Sequence, residues 1–74
     1  VHPRERMENR TLLARGERLY QQLRGAEREK LGREIARFEA ALESQEPRII
    51  GPATRLLRQV LDYFDHQSFL LPET

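Results

Sequence analysis

The 74-residue chain makes one domain at most, and a domain this small buries only roughly 60% of the surface its unfolded form exposes, which argues against a deep active-site cleft. Apolar residues make up 38% of the chain and cysteine is absent, so helix packing or a partner must hold the fold where disulfides and zinc cannot. Thirteen basic and twelve acidic side chains nearly cancel to +1. That balance speaks against a polyanion partner, even though every cation except Lys30 is arginine.

Pro3, Gly25, Pro47, Gly51-Pro52 and Pro72 divide the chain into three segments and a tail. Within each segment the apolar residues recur at three and four, the period of a helix face, and none alternates as a half-buried strand does. The pattern predicts an all-α antiparallel three-helix bundle, one domain over residues 1–74. Its helices are placed at about 4–24, 26–44 and 52–66, with a short turn at 47–51 and a C-terminal tail at 67–74.

The first helix carries Leu12, Leu19, Tyr20 and Leu23 on one stripe, with Met7 and Leu13 beside it. Its opening turns, His2 to Arg10, are mostly polar and bury little by themselves. Gly16 lies one turn after Leu12 on the same face. A glycine there costs roughly 1 kcal/mol relative to alanine, so it marks either a close approach of another helix or a weak point.

Gly25 ends this helix in the left-handed conformation, and the tight turn makes the second helix an antiparallel neighbour. Leu31, Ile35, Phe38 and Leu42, spaced four, three and four, form the clearest helical stripe in the sequence. Glu27 and Glu29 favour the helix start through the dipole, and Glu29 to Arg33 adds a pair four residues apart. Gly32, Ala36 and Ala40 make a second stripe of small residues, read as an internal contact in preference to a docking face.

Pro47 suits a first helical turn, where its missing N–H costs little, whereas Pro52 would forfeit a backbone bond in a helix begun at Pro47. The regular third helix is therefore started at Pro52. It carries Ala53, Leu56, Leu57, Val60, Leu61 and Phe64, is the most apolar element, and is placed at the centre of the core. The predicted core is Leu12, Leu19, Leu23, Leu31, Ile35, Phe38, Leu42, Leu57, Val60 and Phe64.

Chemistry-bearing clusters are absent from this pattern. His2 and His66 lie near opposite ends and lack the short spacing of a metal pair, so both are read as surface histidines. The four glycines are scattered and form no phosphate-binding loop. No catalytic residue, cofactor site or metal site is predicted. The best nucleic-acid alternative is a helix-turn-helix reader bearing Arg28, Lys30, Arg33 and Arg37, weakened by interleaved glutamates and by the lack of Asn or Gln placed to read bases.

The stretch Leu12 to Phe64 resembles the C-terminal helical lid subdomain of DnaK-type heat-shock chaperones, particularly the shorter HscC-like branch. The residues that carry the likeness are Leu12-Leu13-Ala14-Arg15-Gly16-Glu17-Arg18-Leu19-Tyr20, then Ile35-Ala36-Arg37-Phe38-Glu39-Ala40-Ala41-Leu42-Glu43-Ser44, then Leu57 and Val60 after an acidic, proline-marked turn. Gly51-Pro52 departs from the family, which keeps an ordinary helix start there. The resemblance implies a parent chaperone that hydrolyses ATP with magnesium in an upstream domain and holds unfolded peptide in an upstream β-domain. This chain is then its non-catalytic lid, gating peptide release.

The alternative is a self-associating helical scaffold or dimerisation module that buries Met7, Leu13, Phe69, Leu70 and Leu71 against a second copy. The start at Val1 is read as a processed or excised piece. No apolar run approaches the roughly 20 residues of a membrane span and no signal peptide is recognisable, so the expected compartment is cytoplasmic, with no membrane partner.

Overall fold

A computed structural model describes residues 2–70, without the side chains of Arg4, Ser68, Phe69 and Leu70. A short 3-10 helix, Pro3–Glu5, precedes α1 (Met7–Gln22), α2 (Gly25–Ser44) and α3 (Pro47–Leu70). Leu23-Arg24 and Gln45-Glu46 are the whole of the two connections, and linkers this short return each helix antiparallel to the one before. The result is an all-α three-helix bundle in which α2 and α3 form the most extensive pair. The molecule measures 45 × 21 × 18 Å, its long axis set by the helix lengths.

The core follows the predicted stripes. Leu31, Phe38, Leu42, Leu57 and Leu61 are sealed from solvent, and Leu12, Leu19, Ile35 and Phe64 complete the buried cluster. Leu23 and Val60, both predicted as core, are only half-buried and pack at its margin. Leu61 and Ala41 take up the buried positions instead. Leu61 lies four residues after Leu57 and three before Phe64, so it shares their face, whereas Val60 points one position round towards α2.

Gly16 is a point of close approach. A Cβ placed on it would stand 3.3 Å from the Cδ1 and Cγ1 of Ile35 and 3.8 Å from Leu61 Cδ2, so its missing side chain lets α1 seat against both other helices. Of the small-residue stripe, Gly32 lies under the Tyr20 ring, where a Cβ would meet Cε1 at 3.1 Å, while Ala36 and Ala40 are exposed.

The helix ends correct the sequence reading. The first helix begins at Met7, not at residue 4, because Arg6 is extended and the 3-10 turn closes on itself through Glu5 N–H to His2 O at 2.8 Å. Asn9, the one buried polar residue among the described residues, donates its side-chain amide to Pro3 O at 2.8 Å and hooks this segment onto the bundle. Helix α1 then stops at Gln22 with Leu23 extended, and Gly25, at φ +62°, opens α2.

The expected turn at 47–51 is replaced by helix, and α3 runs unbroken from Pro47 through Pro52 to Leu70. Pro47 occupies the first position, and Glu46 O accepts from both Ile49 N–H and Ile50 N–H at 2.9 Å. A proline strains the helical conformation of the residue before it largely through that residue's Cβ, and Gly51 has none. Pro52 itself is exposed, so its ring lies on the outer side of the helix. The predicted tail at 67–74 accordingly loses residues 67–70 to α3, and residues 71–74 lie outside the described residues.

Helix α2 ends on Gln45, which sits in the left-handed region at φ 56°, ψ 20° and returns its N–H to Leu42 O. Ser44 Oγ donates to Ala41 O at 2.5 Å and accepts from Glu46 N–H at 3.2 Å, tightening the turn. Glycine adopts this conformation without the penalty a Cβ brings. Gln45→Gly is expected to stabilise the bundle by about 1 kcal/mol, read as a raised urea midpoint with unchanged slope.

Candidate docking face

Two features lock the bundle and belong to its architecture. Arg15 on α1 reaches α3, where Nη2 donates to Asp62 Oδ1 at 2.7 Å and to Asp65 Oδ2 at 2.5 Å, and Nε donates to Asp65 Oδ2 at 2.9 Å. These hydrogen bonds, Asp62 first, hold the guanidinium above its already high ordinary pKa against the opposing effect of burial. The fork fixes the axial register of two helices that are separated in sequence by α2. On the other side of α1, Arg28 lies over the Tyr20 ring at 4.5 Å from its centroid, so Tyr20 is held between a cation and the Gly32 backbone.

The histidines are placed apart. His2 Nε2 lies 3.4 Å from Glu43 Oε2 at the end of α2, and His66 is exposed on α3. Among the described residues no three His, Cys, Asp or Glu side chains gather as a metal site. No described side-chain polar atom is buried without a partner. No helix among them is long and apolar enough to cross a membrane.

Among the described side chains, exposed apolar surface is concentrated in one place. Of the four large apolar ones left exposed, Ile49 (50%), Leu56 (36%) and Tyr63 (56%) lie on α3 at intervals of seven, a single row along one side of the helix. This row stands beside two shallow depressions between α2 and α3. One is lined by Arg37, Ala40, Ala41, Ser44, Ile49, Pro52, Ala53 and Leu56. The other is lined by Ala26, Glu27, Lys30, Gln59, Val60, Tyr63 and Phe64.

Helical spacing joins them into one groove. On α2 the residues Ala26, Lys30, Arg33, Arg37, Ala40 and Ser44 follow each other at three and four, and on α3 Ile49, Pro52, Leu56, Gln59 and Tyr63 do the same. The floor is built of Ala41, Ala53 and Val60, small enough for the two helices to leave a furrow between them. A third depression, at the opposite edge, is lined by Pro3, Arg6, Asn9, Gln45, Ile50, Thr54 and Arg58 among others and is more polar.

Of the predicted self-association residues, only Met7 and Leu13 have described side chains. Met7 is 78% exposed on α1, whereas Leu13 is half-buried and packs against the core. Phe69 and Leu70 fall in the last turn of α3 with side chains outside the description, and Leu71 lies outside the described residues. The four cations of the nucleic-acid alternative are likewise divided: Arg28 turns to Tyr20 on the α1 side, and Lys30 and Arg37 line the α3 side. The sequence reading missed the groove because it treated the third helix as one apolar element at the centre of the core; the seven-residue recurrence of Ile49, Leu56 and Tyr63 is the signal for it in the chain.

No protein-family model, curated protein or solved structure matches the chain.

Proposed function

We propose that this chain is the non-catalytic helical lid of an ATP-dependent chaperone of the DnaK type, gating release of unfolded peptide from an upstream peptide-binding domain. The observation that carries the reading is a coincidence of boundaries. The stretch that resembles the family lid runs from Leu12 to Phe64, and among the described residues these two are the first and last members of the buried apolar cluster. The stretch that carries the resemblance therefore coincides with the buried core of the bundle, which supports reading it as one unit.

A lid needs no reacting groups. It needs to move as one body between two positions, so that a small differential affinity for each shifts its population. The continuous core and the fork from Arg15 to Asp62 and Asp65 favour motion of the bundle as a unit. In this reading ATP and magnesium are handled by the upstream domain, the lid slows peptide escape by steric cover, and the site of action is cytoplasmic.

The test is deletion in the full-length parent. Removing residues 7–70 is expected to speed dissociation of a fluorescent unfolded peptide while leaving basal ATP hydrolysis unchanged. A dissociation rate equal to that of the intact protein overturns the reading.

A further inference from the structure

The groove between α2 and α3 does not depend on the lid reading, and its chemistry specifies an occupant. We infer that it docks an amphipathic helix with an acidic flank, supplied by a partner protein. Three observations carry this. The first is shape. Ile49 and Tyr63 are 14 residues apart, so the row extends about 21 Å, the length of roughly four helical turns, and its floor of alanines and Val60 allows another helix close approach.

The second is apolar exposure gathered in one row: among the described side chains, the large apolar ones left exposed are Ile49, Leu56 and Tyr63 on this face and Met7 elsewhere. An incoming helix with apolar residues at three and four would place them between Ile49, Leu56 and Tyr63 on one side and Ala40 on the other. The third is charge. The charged side chains lining the groove are Lys30, Arg37 and, at one end, Glu27; Arg33 shares the flank of the two cations by its spacing, and Glu34 lies on its core side, half-buried. Along the middle of α2 the rim is positive, and glutamates or aspartates on the adjacent flank of a docked helix would meet it.

The same charges exclude a second copy of this face. In a two-fold pairing with the axis across the helices, Lys30, Arg33 and Arg37 would meet their own counterparts. With the axis along the helices they would press onto the partner's apolar row with no acid to receive them. Like charges or unpaired cations at an interface cost affinity in either case.

The test uses the 74-residue chain and two synthetic peptides of about 14 residues, identical in their leucine stripe, one with glutamate and one with lysine on the flank. Fluorescence anisotropy is expected to show the acidic peptide binding at least about tenfold more tightly than the basic one. Leu56→Glu should remove binding of both. The double exchange Lys30→Glu with Arg37→Glu should reverse the preference.

Helicity by circular dichroism should be unchanged in these exposed variants. If Leu56→Glu lowers it, Tyr63→Glu, at a more exposed position, provides the same readout. Equal or absent binding of the two peptides overturns the inference. So does a concentration-dependent dimer abolished by Leu56→Glu, or a short DNA duplex that displaces the acidic peptide. Failure here leaves peptide release from the parent untouched, so it is distinguishable from failure of the lid reading.

Discussion

Phe38→Ala is expected to remove most of the stability of this bundle. Phe38 is 1% exposed and sits in the clearest stripe of the sequence, with Leu31, Ile35 and Leu42 along its own helix and Leu57 and Leu61 in the same buried cluster. Truncation of a buried phenylalanine costs about 3–5 kcal/mol, the lost transfer energy plus the cavity left behind. A 74-residue domain has in total about 4–11 kcal/mol at typical per-residue values. The variant should lose helicity over a broad, early urea transition. A midpoint close to that of the parent chain would show that Phe38 is not the packing centre described here.

Gly16→Leu should be nearly as damaging, for the opposite reason. The backbone at Gly16 already approaches Ile35 so closely that a single Cβ would stand 3.3 Å from two of its carbons, with Leu61 next. Gly16→Ala gains about 1 kcal/mol of helix propensity and asks the end of the Ile35 side chain to shift by a few tenths of an ångström, so the two effects nearly cancel. Leucine adds three more carbons with nowhere to go, and overpacking of this kind costs about 3 kcal/mol. Thermal denaturation of the pair should therefore show alanine close to the parent and leucine far below it. Leucine as stable as alanine would contradict the close approach of the three helices.

The two substitutions also show what was legible in the chain. The Phe38 stripe follows from periodicity alone, since a four-three-four recurrence of large apolar residues has one economical solution, a helix with that face buried. Gly16 was legible as a question, because a mid-helix glycine on an apolar face is unfavourable unless something else needs the room. The structure answers it with Ile35 and Leu61.

Other features depend on contacts that periodicity does not encode. Pro52 inside α3 was read as a helix start because proline removes a backbone donor; Gly51, which has no Cβ, lowers one part of the cost by relieving the residue before the ring. The Asn9 hook to Pro3 O joins residues six apart through a side chain, and no spacing rule for helix faces contains it. The groove was hidden for a different reason. Helix α3 is apolar on two adjacent sides, one towards the core through Leu57, Leu61 and Phe64 and one towards α2 and solvent through Ile49, Leu56 and Tyr63. A count of apolar residues merges these sides, and only the position of α2 separates them.

The same limit applies to function. The resemblance to a chaperone lid rests on packing residues, Leu12 to Tyr20 and Ile35 to Ser44, which determine how a bundle assembles and carry no reacting groups. What distinguishes a lid from any other three-helix unit is movement relative to the domain it covers. The proposed movement can be followed with a label on this bundle, whose 74 residues contain no competing cysteine. A donor attached through Ala36→Cys, on the exposed side of α2, and an acceptor on the peptide-binding domain of the proposed chaperone parent would report the separation directly. The account predicts that adding ATP lowers the transfer efficiency as peptide release accelerates; equal efficiency with ATP and ADP would contradict it.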